Sequence, residues 1–326
     1  MTENREPFSI LMSYWYYKSQ HVVERITAAL ENAHASGQPV RVLVDSGAFS
    51  ADSQGAPVTV TDYAGWLDDV VRPRWGRWTV GALNLDVLRD PEASYRNWRA
   101  LRSNGHHTVP VTHLGDPFSV VDRYVENGAD FIALGAMVGR SFTRKFRWAA
   151  HVHAHVNRNY PHVKLHGLGV GSQKMVERLP WWSVDTTSFS SAYRYGRLIF
   201  YDPKTQTIRS VPLDGGTEIY AYGPTLRRFL GINPAEITTS HPGNRRTLVG
   251  VAAESVILWQ TDLRSRRPIQ PPRSLDKQTE GTHVHFVEGS SERLAVAIAL
   301  HGTHVHYVDG GADLARAVDQ VRGGTL

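Results

Sequence analysis

Short apolar runs in this chain end repeatedly on a polar residue or a glycine. Val42-Leu43-Val44 ends on Asp45, Ala82-Leu83-Asn84-Leu85 on Asp86, and Val109-Pro110-Val111-Thr112 on His113. Phe131-Ile132-Ala133-Leu134 ends on Gly135, Val163-Lys164-Leu165 on His166, and Trp182-Ser183-Val184 on Asp185. Successive endpoints lie 19 to 41 residues apart. That is close to one strand-plus-helix unit of a TIM (β/α)8 barrel, roughly 250 residues over eight units. Uninterrupted apolar runs suit parallel strands, which are covered on both faces. In such a barrel the C-terminal strand ends meet at one mouth, so three aspartates are expected there together.

The text between the runs is helical. His21–Ser36 carries Val22, Val23, Ile26, Ala29 and Leu30 on one stripe and stops at Gly37. Further helices are expected over Thr61–Val71, Pro91–Ser103, Phe118–Asn127, Thr143–Asn157 and Ser172–Arg178, then Pro224–Leu230 and Arg246–Gln260. Phe8–Ser13 reads as the first strand. After Asp185 the rhythm changes, and residues 197–213 read as a hairpin turning at Pro203-Lys204.

Three segments follow: a barrel domain over 1–263, a basic proline-rich linker over 264–278, and a small C-terminal unit over 279–326. The last contains a repeat, Thr282-His283-Val284-His285-Phe286-Val287 and Thr303-His304-Val305-His306-Tyr307-Val308. It predicts a βαβα appendage too short to fold alone and docked on the barrel.

At 326 residues and 41% hydrophobic content the chain can bury a large core. With no cysteine it has neither disulfides, nor a thiolate zinc site, nor a cysteine nucleophile. Lys and Arg number 36 against 31 Asp and Glu, and the net charge of +5 suits a polyanionic partner. The N-terminus is polar and no run approaches 18 apolar residues, which predicts a cytoplasmic protein without membrane association.

Val44-Asp45-Ser46-Gly47-Ala48-Phe49-Ser50 delivers a carboxylate and a hydroxyl to a turn where glycine permits close approach. Taken singly, Asp45 reads equally as a helix cap, and Asp185 in Ser183-Val184-Asp185-Thr186-Thr187 as an Asx turn. Together the carboxylates carry more weight. Buried carboxylates without partners are costly, so a cluster of them points to a nucleophile, a general base or a metal.

These motifs resemble, in order, those of the tRNA-guanine transglycosylase superfamily. The resemblance covers Asp45-Ser46-Gly47-Ala48-Phe49, Asn84-Leu85-Asp86, Leu134-Gly135-Ala136-Met137-Val138-Gly139, His166-Gly167-Leu168-Gly169-Val170-Gly171 and Ser183-Val184-Asp185-Thr186-Thr187. Tyr195-Gly196-Arg197-Leu198 is similar to the start of the hairpin that follows the nucleophile there. The likeness runs from about Phe8 to Leu213 and is greatest to the phage and mobile-element branch, which exchanges guanine for a 7-deazaguanine in DNA.

It implies Asp185 as the nucleophile at the sugar C1′ and Asp45 as the acid/base. It implies Asp86 on the Watson–Crick edge of the base, with Ser46 and the backbone near Gly135 assisting, and Phe49 stacking on the base. His113 stands where the tRNA enzymes have glutamine, and His166 and Gly167 complete the substrate set. The logic is that of two displacements at one anomeric carbon, with paired carboxylates in separate roles.

The tRNA enzymes carry a cysteine-rich zinc subdomain that this chain cannot build. Ala48 and Ser50 replace a Gly and a Gln of their first motif, and Thr186-Thr187-Ser188 replaces the residues after their nucleophile. The implied partner is therefore DNA rather than tRNA, with a free 7-deazaguanine base such as the 7-cyano form as co-substrate. A homodimer is compatible with this reading, and no cofactor is expected.

Arg194 and Arg197 beside Tyr193 and Tyr195, Arg227 and Arg228 beside Phe229, and Arg245 with Arg246 are candidates for following a phosphate backbone. His151-x-His153-x-His155 falls on a predicted helix, where i and i+2 do not share a face, and reads as a solvated helix. The pairs His283/His285 and His304/His306 each share a strand face. Metal-ligating barrels of the amidohydrolase kind, however, begin with His-x-His on the first strand, where this chain has Ser13-Tyr14-Trp15-Tyr16, so no metal is expected. The rival readings are the same exchange on tRNA, a catalytically silent nucleic-acid-binding barrel, and a metal-dependent hydrolase.

Overall fold

A computed structural model describes residues 7–213, 217–238 and 244–266, and the backbone of 283–287. Seven strands alternate with helices: β1 Phe8–Ser13, β2 Val40–Asp45, β3 Thr79–Ala82, β4 Val111–His113, β5 Phe131–Gly135, β6 Lys164–Gly167 and β7 Ser183–Thr186. The antiparallel hairpin is β8 Arg197–Asp202 with β9 Thr207–Pro212, as expected, and β10 is His283–Val287.

The α/β class read from the sequence holds. One all-parallel sheet runs in the order β3-β2-β1-β10-β7-β6-β5-β4. The chain just after β3 also meets the chain just before β4. Leu83 forms a parallel bridge with Val109, and the Val109 N–H donates to the Ala82 carbonyl at 2.7 Å. The Asn84 N–H donates to the Val109 carbonyl at 2.8 Å.

The position of β10 corrects the expected organisation. Its backbone lies between β1 and β7, with Ile10 opposite Phe286 and Val184 opposite Val284. A run with two β-branched and one aromatic residue fills a vacancy in a sheet as readily as it starts a new unit, and sequence separation gives no warning of this. The rest of the expected appendage, including His304 and His306, and most of the linker lie outside the described residues.

Alternation along the strands sorts their side chains between two apolar clusters. Ile10, Met12, Val42, Val44, Ile132, Leu134, Leu165 and Val184 join the core packed against the helices. Leu11, Leu43, Val111, Phe131 and Ala133 form a smaller cluster on the other face with Leu83 and Val109. Two residues beyond Leu11, Leu43, Val111 and Ala133 come Ser13, Asp45, His113 and Gly135. The polar strand ends therefore share a face with the smaller cluster.

The helices follow their patterns. Gln20–Ala35 buries Val22, Val23, Ile26, Ala29, Leu30 and Ala33. Pro91–Ser103 starts where predicted, with the Asp90 carboxylate accepting from the Ala93 N–H at 2.8 Å. The helix expected over Thr61–Val71 is α-helical only over Val60–Trp66. It continues as a π-helix over Leu67–Trp75, a stretch that contains Pro73, which has no N–H to give. β3 ends at Ala82 rather than running to Asp86, which lies in the loop beyond. His153 corrects the solvated-helix reading: it is buried edge-on against Trp181, ring centroids 4.5 Å apart, and burial lowers its pKa to about 3. Among the described residues no helix is long and apolar enough to cross a membrane.

A chain ending at Arg266 lacks β10, so the facing edges of β1 and β7 lose their hydrogen-bond partners. Such a truncation is expected to lose the cooperative thermal transition seen by circular dichroism in the full chain. An unchanged transition would show that β10 contributes nothing to the sheet.

Candidate active site

The parallel register carries the polar ends to one edge. Ser13 lies opposite Asp45, His113 opposite Gly135, and His166 opposite Ser183. Asp185 is two residues after Ser183 on the same face. The charges of Asp86 and Asp185 both act on Asp45, so the three carboxylates form one electrostatic group.

Each carboxylate has its own support. The Asp86 Oδ2 lies 2.7 Å from His113 Nε2. Burial of His113 works against its charge. The hydrogen bond to Asp86 and the charges of Asp86 and Asp116 outweigh this and raise the histidine's pKa above its usual value. Asp116 also accepts from the His113 backbone N–H at 2.7 Å, which fixes the turn after β4.

Asp185 is nearly buried and uses one oxygen for both its contacts. Its Oδ1 lies 3.2 Å from His166 Nε2 and accepts from the Gly169 N–H at 3.0 Å. On its other side, His166 Nδ1 lies 2.7 Å from the Ser183 hydroxyl oxygen. Gly169 has φ +67°, a left-handed conformation that suits a residue without Cβ. The Asp185 Oδ2 makes no hydrogen bond among the described residues.

Asp45 is held differently. Burial raises its pKa from 3.8 to about 6, and the charges of Asp86 and Asp185 push the same way. Ser13 and the Gly47 backbone, the polar groups nearest the carboxylate, act in the opposite direction and lower it. Gly47 is required here. Its φ is +74°, and a Cβ would sit 2.5 Å from Trp15 Cβ and 2.8 Å from Ser13 Oγ. Tyr63, buried behind the group with its hydroxyl donating to the Leu83 carbonyl at 2.9 Å, has its pKa raised by burial and then by Asp45 and Asp86.

The remaining predicted residues divide. Ser46 is fully buried, and its hydroxyl accepts from the Ala48 N–H at 3.4 Å just before the short helix Ala48–Ser53. Phe49 projects from that helix, 65% exposed. Gly135 backs onto His113, since a Cβ there would lie 3.3 Å from the imidazole. Gly167 makes room for Val170 and Trp181, a packing role. A cleft of about 400 Å3 reaches Asp86 and Ala48 and is lined further by Leu88, Arg89 and Asn97.

The six arginines are dispersed. Arg197 is bound within the hairpin to Ser210, at 2.8 Å to both its hydroxyl and its carbonyl. Arg194, Arg227, Arg228 and Arg245 are exposed, and Arg246 is half-buried. The supporting residues Ser13, Ser183, Asp116 and Tyr63 were not anticipated. Ser13 and Ser183 come to light only through cross-strand register, Ser13 opposite Asp45 and Ser183 opposite His166.

No protein-family model and no curated protein matches the chain.

The raised pKa of Asp45 has a thermodynamic consequence. The folded state holds this proton up to about pH 6 and the unfolded state only to about 3.8, so stability from the group is lost as pH rises through that window. Asp45→Asn removes this half-buried charge. It is expected to stabilise the protein by about 1–3 kcal/mol at pH 7.5, with the gain vanishing near pH 4. Urea unfolding at the two pH values checks this, and equal or lower stability of the variant at pH 7.5 would contradict it.

Proposed function

We propose that the chain is a closed (β/α)8 barrel that exchanges guanine in DNA for a 7-deazaguanine, through a covalent glycosyl-aspartate intermediate. Eight parallel strands, the Leu83–Val109 bridge and a second apolar cluster on the face away from the helices support the barrel. The observation that carries the chemistry is the pairing of two unlike carboxylates. Asp185 has one oxygen anchored and the other without a hydrogen bond, and the pKa of Asp45 is raised to about 6.

The reading assigns each a step. Asp185 Oδ2 attacks C1′ of the deoxyguanosine, and the C1′–N9 bond breaks with its electron pair passing to the purine. The departing base takes the proton from Asp45, leaving a glycosyl ester on Asp185. The incoming 7-deazaguanine then loses its N9 proton to the Asp45 carboxylate as N9 attacks C1′. The C1′–Oδ2 bond breaks and Asp185 returns as a carboxylate. A raised pKa suits Asp45 to both directions of transfer.

His166 and the Gly169 N–H hold Asp185 in one orientation, so attack needs little reorganisation. Asp86, with one oxygen on His113, is suited to accept hydrogen bonds from the N1–H and 2-amino groups of guanine. Phe49 offers an exposed ring for stacking on the base. DNA is favoured over tRNA by the motif resemblance and by the absence of cysteine for a zinc subdomain. Reaching C1′ requires the nucleotide out of the stack, which costs a few kcal/mol in a duplex, so unpaired DNA is the better substrate.

Incubation with labelled guanine tests this on single-stranded DNA, duplex DNA and tRNA. The expected result is label entering DNA, fastest in single strands, with Asp185→Asn slower by roughly 10^3-fold or more. Label entering tRNA alone would overturn the DNA assignment. Label entering neither polymer would overturn base exchange.

A further inference from the structure

The loops after β4 and β5 border a second concavity, of about 420 Å3, distinct from the cleft that reaches Asp86. Leu114 and Gly115, which directly follow His113, line one side. The other side is the beginning of the helix Phe142–Asn159 with its cap: Ser141, Thr143, Arg144, Arg147, Trp148 and His151. Arg144, Arg147, Trp148 and His151 are spaced i, i+3, i+4 and i+7, which puts them on one face of the helix.

The chemistry of this lining is one-sided. It holds two guanidiniums, an imidazole and two hydroxyls, and no carboxylate. Arg144 and Arg147 are exposed, and neither side chain makes a hydrogen bond or ion pair among the described residues. Some arginines elsewhere are neutralised in place: Arg123 pairs with Glu92 at 2.7 Å, and Arg77 and Arg266 also have acidic partners. The Trp148 indole N–H, itself buried, has no acceptor. Exposed cations without counter-charges, beside two hydroxyls, suit an anion rich in oxygen. The N-terminus of an 18-residue helix, capped by Ser141, adds partial positive charge at the same place.

We propose that this concavity binds the phosphate backbone of the DNA strand flanking the exchanged nucleotide, an inference that rests on the base-exchange reading above. Two arginines one helical turn apart suit one or two successive phosphates of an extended strand. Trp148 is half-buried and Phe142, at the first turn, is 38% exposed, so apolar rings accompany the cations as single-strand sites require. The site opens one residue after His113, at the sheet edge that carries the three aspartates. That adjacency favours a strand continuing from the reacting nucleotide over a free ion.

The test is the affinity of a guanine-containing single-stranded oligodeoxynucleotide, followed by fluorescence anisotropy over a range of salt. It uses Asp185→Asn as the non-turning-over parent, then adds Arg144→Ala with Arg147→Ala, or Arg144→Lys with Arg147→Lys. The alanine pair is expected to weaken binding tenfold or more and to lower the salt slope by about 1.4, at about 0.7 per phosphate lost. The lysine pair should keep most of the slope, which a loss of folding would not allow.

Unchanged affinity and slope in the alanine pair would overturn the site. So would an effect confined to an RNA oligonucleotide of the same sequence. Inorganic phosphate that raises the melting temperature of the parent but not of the alanine pair, with equal DNA binding, would reduce it to a small-anion site and overturn the strand. The two readings fail separately. Loss of DNA affinity in the alanine pair of a protein that exchanges no guanine leaves the phosphate site standing and removes base exchange. Normal exchange with undiminished DNA binding does the reverse.

Discussion

Three carboxylates gathered at one edge of a parallel sheet repel one another, and much of the nearby structure makes that repulsion tolerable. The parallel ladder creates the problem, because strands that start together also end together. Three different local answers follow. Asp86 is matched by an imidazole whose charge it stabilises. Asp185 is matched by an imidazole N–H and a backbone N–H on a single oxygen. Asp45 is matched by no cation, and burial raises its pKa to about 6. The same charge cluster thus yields carboxylates in unlike environments, the pattern that separates nucleophile from acid in double-displacement chemistry.

Backbone conformation supports this arrangement. Gly47 takes a left-handed turn immediately after β2 and lets the chain pass against Trp15 and Ser13 at the end of β1. Ala136 has φ +57° directly after β5, a conformation a residue with a Cβ rarely adopts. Strain at a strand end persists where the surroundings over-determine it, and such positions cluster at functional sites. The helical layer supplies the opposing stability through a continuous core that includes the fully buried Trp75, Trp98, Trp181 and Trp259.

Much of this was legible in the sequence, for physical reasons that differ between elements. Apolar runs ending on a polar residue or glycine marked five strands and the exit of β3, because a buried parallel strand leaves that signature regardless of its partners. Helix Pro91–Ser103 was legible to the residue, since an N-cap aspartate, a proline and a 3.6-residue stripe agree there. β10 was misassigned because its place depends on a gap between β1 and β7, which a one-dimensional pattern does not contain. His153 looked solvated because the alternating histidines of its helix hide which one faces Trp181. The three aspartates were legible as strand-end residues. Their partners Ser13 and Ser183 depend on cross-strand register, and Arg144 and Arg147 become notable only once the surrounding carboxylates are seen to be elsewhere.

The account turns on a bond forming between Asp185 and a sugar. Wild-type protein mixed with a guanine-containing single-stranded oligodeoxynucleotide, then denatured and digested, allows that bond to be sought by peptide mass spectrometry. The account predicts a peptide spanning Ser183–Thr187 that carries the oligonucleotide less one guanine, with the link on Asp185. The same adduct on Asp45 would exchange the roles of the two carboxylates, and its absence from every peptide while guanine is exchanged would contradict the covalent mechanism.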